Sequence, residues 1–183
     1  GDKCFIGSNC IINSASMIEL GNHVSIGPNA VLYCIYKKII FGNNVLLGPN
    51  VTMVNGDHNM RKIGVPIIDN NEKEASDDAD IIIEDDVWIG CNCVILSGTH
   101  IGQGAVIGAG SVVSGNVPPY AIFAGGRIVK YRFKPEVLEK LLNFDPKLIQ
   151  WDKVKAKMDV LYTHIDEENV EQVLEQVKSI QED

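Results

Sequence analysis

No stretch of the chain approaches the roughly eighteen consecutive apolar residues that a membrane-spanning helix needs, and no basic-then-apolar segment opens it. Membrane insertion and a secretory signal are therefore not expected. Basic charge is scarce: 16 Lys and Arg face 24 Asp and Glu, a net charge of -8. That excludes a global role on nucleic acid or an anionic membrane surface. Cysteine is sparse and odd in number (Cys4, Cys10, Cys34, Cys91, Cys93), which predicts reduced thiols and a cytoplasmic location. There is no CxxC motif, and Cys91-Asn92-Cys93 is too tight to serve as one. On a strand these two thiols would share a face and pack as small hydrophobes. What remains is 183 residues, 45% of them hydrophobic, enough for one or two globular domains with a sizeable core. Acid is concentrated in residues 69–80, which carry six acids and one Lys. An anionic ligand would need a local basic patch, and Lys130, Arg132 and Lys134 offer one.

Over most of its length the chain lacks both the helical period of 3.6 and the simple strand period of two. Its period is six. Ile6, Ile12 and Ile18 form one register, Leu20, Ile26 and Leu32 the next, then Phe41, Leu47 and Met53. Ile83, Ile89, Ile95, Ile101, Ile107 and Val113 run unbroken. Gly often follows the apolar residue, and Asn or Asp fills the spaces between. A triangular coil has this period. Each side is a short strand with one apolar side chain inward, and each corner takes residues that tolerate positive φ. Three sides make about eighteen residues per turn, and the turns stack by parallel backbone pairing.

The repeat breaks at VTMVNGDHNMRKIGVPI, residues 51–67, and the break carries His58. It resumes at Ile81–Ile83. Pro118 and Pro119 are expected to close the last coil. Beyond Phe133 the period turns helical. Pro135–Leu142 reads as a helix opened by Pro, Asp145-Pro146 as the start of a second running to about Leu161, and Asp166 as the cap of a third. The stripe of that third helix is Val170, Val173, Leu174, Val177 and Ile180. The domain reading is residues 1–133 as coil, with an inserted loop of about 54–80, and 134–183 as a helical extension.

VWIG (Val87–Gly90), IGAGSVV (Ile107–Val113) and NVPP (Asn116–Pro119) together resemble the last coils of the hexapeptide-repeat acyltransferases that use acetyl-CoA. The segment YRFKPEVLEKLLNFDPKLIQW is similar to the C-terminal part of their xenobiotic and capsular-polysaccharide branch. The resemblance implies a mainly β fold: a left-handed parallel β-helix with an extruded active-site loop and a C-terminal helical cap. It implies a homotrimer with sites at subunit interfaces, acetyl-CoA as co-substrate, and His58 as the general base at the start of the loop. Imidazole suits that task because its pKa lies near neutrality.

Around His58, Asn55 or Asp57 is a candidate to orient the imidazole. Trp88, flanked by inward Val87 and Ile89, should face outward, and the resemblance puts it at the acetyl and acceptor site. Cys91, Gly108, Ala109 and Ser111 are small residues along which a pantetheine arm would run. Arg127 and Lys130 are the candidate phosphate contacts. In many relatives the coil ends in Thr-Lys-Asp and continues into Gly-Asn-Pro-Ala-Lys. Here the residues are Ser114-Gly115-Asn116 and Gly125-Gly126-Arg127, an apparent shortfall of three, with Arg127 in place of the family Lys.

His23 and His100 fall at hexad corners and are expected as exposed turn residues, and His164 lies between helices. A zinc centre would need three histidines on one metal. His23, His58 and His100 occupy unlike repeat positions, so no metal is expected. The expected activity is O-acetylation of a saccharide hydroxyl. The alternative is an antibiotic-type xenobiotic O-acetyltransferase on the same scaffold, and a non-catalytic β-helix module is a more remote third.

Overall fold

The computed structural model describes residues 1–73, 77–144 and 163–182. These fall into two compact units, Gly1–Tyr131 and Arg132–Asp183.

The first unit is a stack of short strands. Its first coil contains β1 (Phe5–Ile6), β2 (Ile11–Asn13) and β3 (Ile18–Leu20), and its second β4 (Ser25–Ile26), β5 (Val31–Tyr33) and β6 (Ile39–Phe41). The third has β7 (Leu46–Leu47), β8 (Thr52–Val54) and, after the inserted loop, β9 (Ile81–Ile83). Then come β10 (Trp88–Ile89), β11 (Val94–Ile95) and β12 (His100–Ile101), followed by β13 (Val106–Ile107), β14 (Val112–Val113) and β15 (Asn116–Val117). Corresponding strands pair in parallel to make three faces: β1-β4-β7-β10-β13, β2-β5-β8-β11-β14 and β3-β6-β9-β12-β15.

The hexad residues stack inward as the pattern predicts. Ile89, Ile95, Ile101, Ile107 and Val113 are fully buried, as are Leu32 and Met53. Ile6 and Ile12 continue the column but lie at its open end, 45% and 37% exposed. The corners follow from local chemistry. Asn9, Asn29, Asn44, Asn50, Asp86 and Asn92 all have φ near +57°, a conformation Asn and Asp adopt at little cost. At the third corner Asn43 N–H donates to Asp85 Oδ1 at 2.8 Å, as Asn22 N–H does to Asn43 Oδ1 at 2.9 Å. Such side chains tie each coil to the next. Glycine beside the corner lets coils approach closely: a Cβ on Gly90 would stand 2.6 Å from the Ala109 nitrogen.

The turns are not uniform. Trp88 pairs with Val106, eighteen positions on, whereas Ser25 pairs with Leu46, twenty-one on. The extra residues enter at one corner, between the second and third faces. There the first coil makes a 3-10 turn, Ala15–Met17, and the third emits the whole loop between β8 and β9. The break in the repeat is thus the largest insertion at a corner that already tolerates smaller ones.

Pro118 and Pro119 do not end the stack. The chain adds β16 (Ala121–Ala124) to the first face, parallel to β13, and returns as β17 (Arg127–Tyr131) in an antiparallel hairpin. Gly125 and Gly126, with φ of +58° and +81°, form the two-residue turn that such a hairpin requires. The shortfall near Gly126 is this tight turn.

In the second unit α1 (Pro135–Leu142) has the predicted bounds, with Pro135 at its start and Val137 and Leu141 buried. Asp166 Oδ1 accepts the N–H groups of Glu168 and Asn169 at 3.0 and 3.1 Å, ahead of α2 (Val170–Glu182). Val170, Val173 and Val177 are buried. The helix expected from Lys147 to Leu161 lies outside the described residues, as does the side chain of Ile180. No described helix is long and apolar enough to cross a membrane.

Candidate active site

The loop leaves the coil after Val54, and Asn55 is its first fixed point. The Asn55 side chain is fully buried. Its oxygen accepts Ile35 N–H at 3.0 Å and its nitrogen donates to Lys37 carbonyl. Both ends of the amide are therefore committed to the corner of the preceding coil, and neither is offered to His58. Gly56 then passes directly over Ile35: a Cβ there would lie 2.1 Å from Ile35 Cδ1.

Asp57 is exposed, and its backbone N–H donates to Asp78 Oδ1 at 3.0 Å. Asp78 is nearly buried and paired with Lys73 Nζ at 2.8 Å, and Lys73 lies 5.2 Å above the Tyr36 ring. Asn59 is also buried. Its Nδ2 donates to Glu72 carbonyl at 3.0 Å, and its own carbonyl accepts Asn70 Nδ2 at 2.8 Å. His58 stands between these two anchored neighbours. Its imidazole is exposed and has no hydrogen bond among the described residues. Much of the acid of residues 69–80 is matched by cations. Arg61 pairs with Asp77, Lys62 with Glu72 and Lys73 with Asp78. Asp80 Oδ1 accepts Lys38 N–H at 2.7 Å.

Trp88 lies on β10 with its side chain outward, 51% exposed, in register between Leu46 and Val106. Cys91 and Ala109 occupy the same corner in successive coils, joined where Gly110 N–H donates to Cys91 carbonyl at 2.8 Å. Gly108 lies beside them, so these three small residues are brought together, Ala109 exposed and Cys91 and Gly108 half-buried. Ser111 is not on that surface. It is buried, and its hydroxyl donates to Gly108 carbonyl at 2.6 Å. Arg127 and Lys130 are both exposed on β17.

The other histidines have partners. His23 is a corner residue with φ +57°, its Nδ1 3.0 Å from Asn44 Oδ1. His100 differs from expectation. It lies on strand β12, half-buried, with Nε2 2.7 Å from Glu84 Oε1. Its outward strand position faces Glu84 of the coil before, a pairing invisible to the hexad count. Among the described residues no three His, Cys, Asp or Glu side chains group as metal ligands. Burial pushes the thiols of Cys34 and Cys93 up, so neither is a ready nucleophile.

Sequence reasoning missed Ser97. Its hydroxyl lies at the loop neck, donating to Asn55 carbonyl at 3.1 Å and accepting Ala79 N–H at 2.9 Å. The hexad count does not mark it, because that count assigns the inward residues, whereas the partner of Ser97 is a backbone carbonyl of the preceding coil, that of Asn55.

Comparison with known proteins agrees with this geometry. Residues 80–115 match the family model for bacterial transferase hexapeptide (six repeats), and residues 1–34 that for the hexapeptide repeat of succinyl-transferase. A hexapeptide-repeat acetyltransferase from Vibrio cholerae, solved with acetyl coenzyme A, is 31% identical with a TM-score of 0.64, covering 73% of this chain and 70% of its own. A maltose O-acetyltransferase from Clostridium difficile is 28% identical with a TM-score of 0.62 over the same shares. A chloramphenicol acetyltransferase from Klebsiella aerogenes is 40% identical over 82 residues, 44% of this chain and 39% of that protein. The matches span less than half the length of the curated relatives. The coil is that of the left-handed parallel β-helices, and the chain belongs to the hexapeptide-repeat acetyltransferase family.

Proposed function

We propose that this protein moves an acetyl group from acetyl-CoA to a hydroxyl of a saccharide, with His58 as general base. The observation that carries the reading is the exposed imidazole of His58, held between two anchored residues at the exit of the extruded loop. In this reading the acceptor oxygen attacks the thioester carbonyl while the imidazole takes its proton. The new C–O bond forms, the C–S bond breaks, and the proton leaves on the coenzyme thiol. No acyl-enzyme forms. The remaining work is positioning of the two substrates.

The pantetheine arm runs over the corner formed by Cys91, Gly108 and Ala109, whose small side chains let it approach closely. Arg127 and Lys130 supply cations for the phosphates. Trp88 packs against the acetyl and acceptor groups. The assembly is a homotrimer in which the loop overhangs the acceptor pocket of a neighbour. Exposed apolar residues on two faces support it: Phe5, Leu46 and Trp88 on the first, Ile11, Tyr33 and Val112 on the second.

A second reading, xenobiotic O-acetylation, is favoured by one feature. The loop exposes Met60, Ile63, Ile67 and Ile68, side chains suited to an apolar acceptor such as the one in the Klebsiella relative's name. Thiol release from acetyl-CoA distinguishes the two. The panel is maltose, galactosides, sialic acid oligomers, amino sugars, chloramphenicol and a streptogramin. Saccharide-dependent release is expected. Release with an antibiotic alone moves the protein to the second reading, and failure to bind acetyl-CoA rejects both.

A further inference from the structure

We infer that Ser97, a residue of the plain coil beyond the loop, is a positioning residue for His58. The inference rests on reading His58 as the general base.

The chain leaves the coil at Asn55 and returns near Ala79, and a base three residues past the exit keeps its place only if both ends of that excursion are fixed. A free loop of this length would otherwise sample many conformations. One oxygen atom fixes both ends. Ser97 Oγ donates its proton to the Asn55 carbonyl on the departing strand and accepts the N–H of Ala79 on the returning strand, at 3.1 and 2.9 Å. The next rung is Asp57 N–H on Asp78 Oδ1, and the third is Asn59 with Glu72 and Asn70. His58 projects between the second and third rungs, so the ladder that sets its direction starts at Ser97.

A hydroxyl is required because the same atom gives one hydrogen bond and receives another. Alanine does neither, and threonine does both. The position is also suited to the task. Ser97 follows β11 at the same corner from which β8 emits the loop, one coil earlier. The coil above therefore serves as the template on which the loop is registered.

The test compares Ser97→Ala, Ser97→Thr and His58→Ala with the wild type. Two readouts are used: thiol release from acetyl-CoA with the acceptor that the wild type prefers, and proton NMR of the histidine rings, which needs no acceptor. Ser97→Ala is expected to lower kcat roughly tenfold to a hundredfold, the loss expected of a misplaced catalytic group. The Kd for acetyl-CoA should not change. His58 ring signals should shift or broaden while those of His23 stay in place, and Ser97→Thr should restore both. In a His58→Ala background the Ser97 change should cost nothing further. Unmoved His58 signals in Ser97→Ala, or full turnover by that variant while His58→Ala is impaired, overturns the inference and leaves the base in place. Full turnover by His58→Ala overturns the base reading and the inference with it.

Discussion

The Asn55 side-chain oxygen accepts the backbone N–H of Ile35 at 3.0 Å, from a position with no exposure to solvent. The residue that opens the loop is therefore a bolt through the preceding coil. Asn55→Leu should leave both Ile35 N–H and the Lys37 carbonyl without their partner. Each buried group so orphaned costs about 1–3 kcal/mol, so the urea midpoint should fall by the equivalent of at least one such loss at unchanged m-value. A midpoint equal to that of the wild type would mean that water or another group replaces the amide.

His58 faces solvent and stabilises nothing visible among the described residues. His58→Ala should lower turnover by roughly 10² or more, with the acetyl-CoA Kd and the melting temperature unchanged. Calorimetry for the Kd and thiol release for the rate check the two halves separately.

Trp88 is half exposed on the outer side of its strand, so its loss removes little from the core. Trp88→Ala should change stability by no more than about 0.5 kcal/mol. It should raise the acceptor KM about tenfold, the equivalent of one lost aromatic contact. If the variant instead sediments as a smaller species than the wild type, the ring belongs to a subunit interface.

Cysteine reactivity should divide three to two. Cys4, Cys10 and Cys91 are half-buried, whereas Cys34 and Cys93 are buried. Desolvation by burial pushes the latter two thiols up, so less of each is thiolate near neutrality. The fast phase of a disulfide-reagent titration should count three thiols, the rest reacting only on unfolding. The sign for stability follows from linkage: as pH rises through the ordinary thiol range, the unfolded chain releases protons that the folded thiols retain. Stability should therefore fall with rising pH there, and a urea midpoint that rises instead would contradict the burial.

The fold was legible because its signal is local and repeated. Each hexad places one residue inward, so Ile83 through Val113 could be assigned by counting, and the positive-φ corners could be assigned from Asn and Asp. The hairpin of β16 and β17 escaped the count because Pro118 and Pro119 look like a stop, whereas the open edge of β13 still accepts a strand. His100 was misread for a related reason. Counting fixes which residue points in, but the partner of an outward residue sits a coil away, and here it is Glu84.

The sequence by itself determined the coil, its buried column and the place where a histidine leaves it, since spacing along one strand suffices for each. Only the tertiary structure decided how that histidine is held. Asn55 and Ser97 are 42 positions apart, the same offset that separates the paired strands Leu46–Leu47 and Trp88–Ile89, and that offset is set by the length of the inserted loop. Stacking brings them together, since the corner that emits the loop lies directly beneath the corner that carries Ser97.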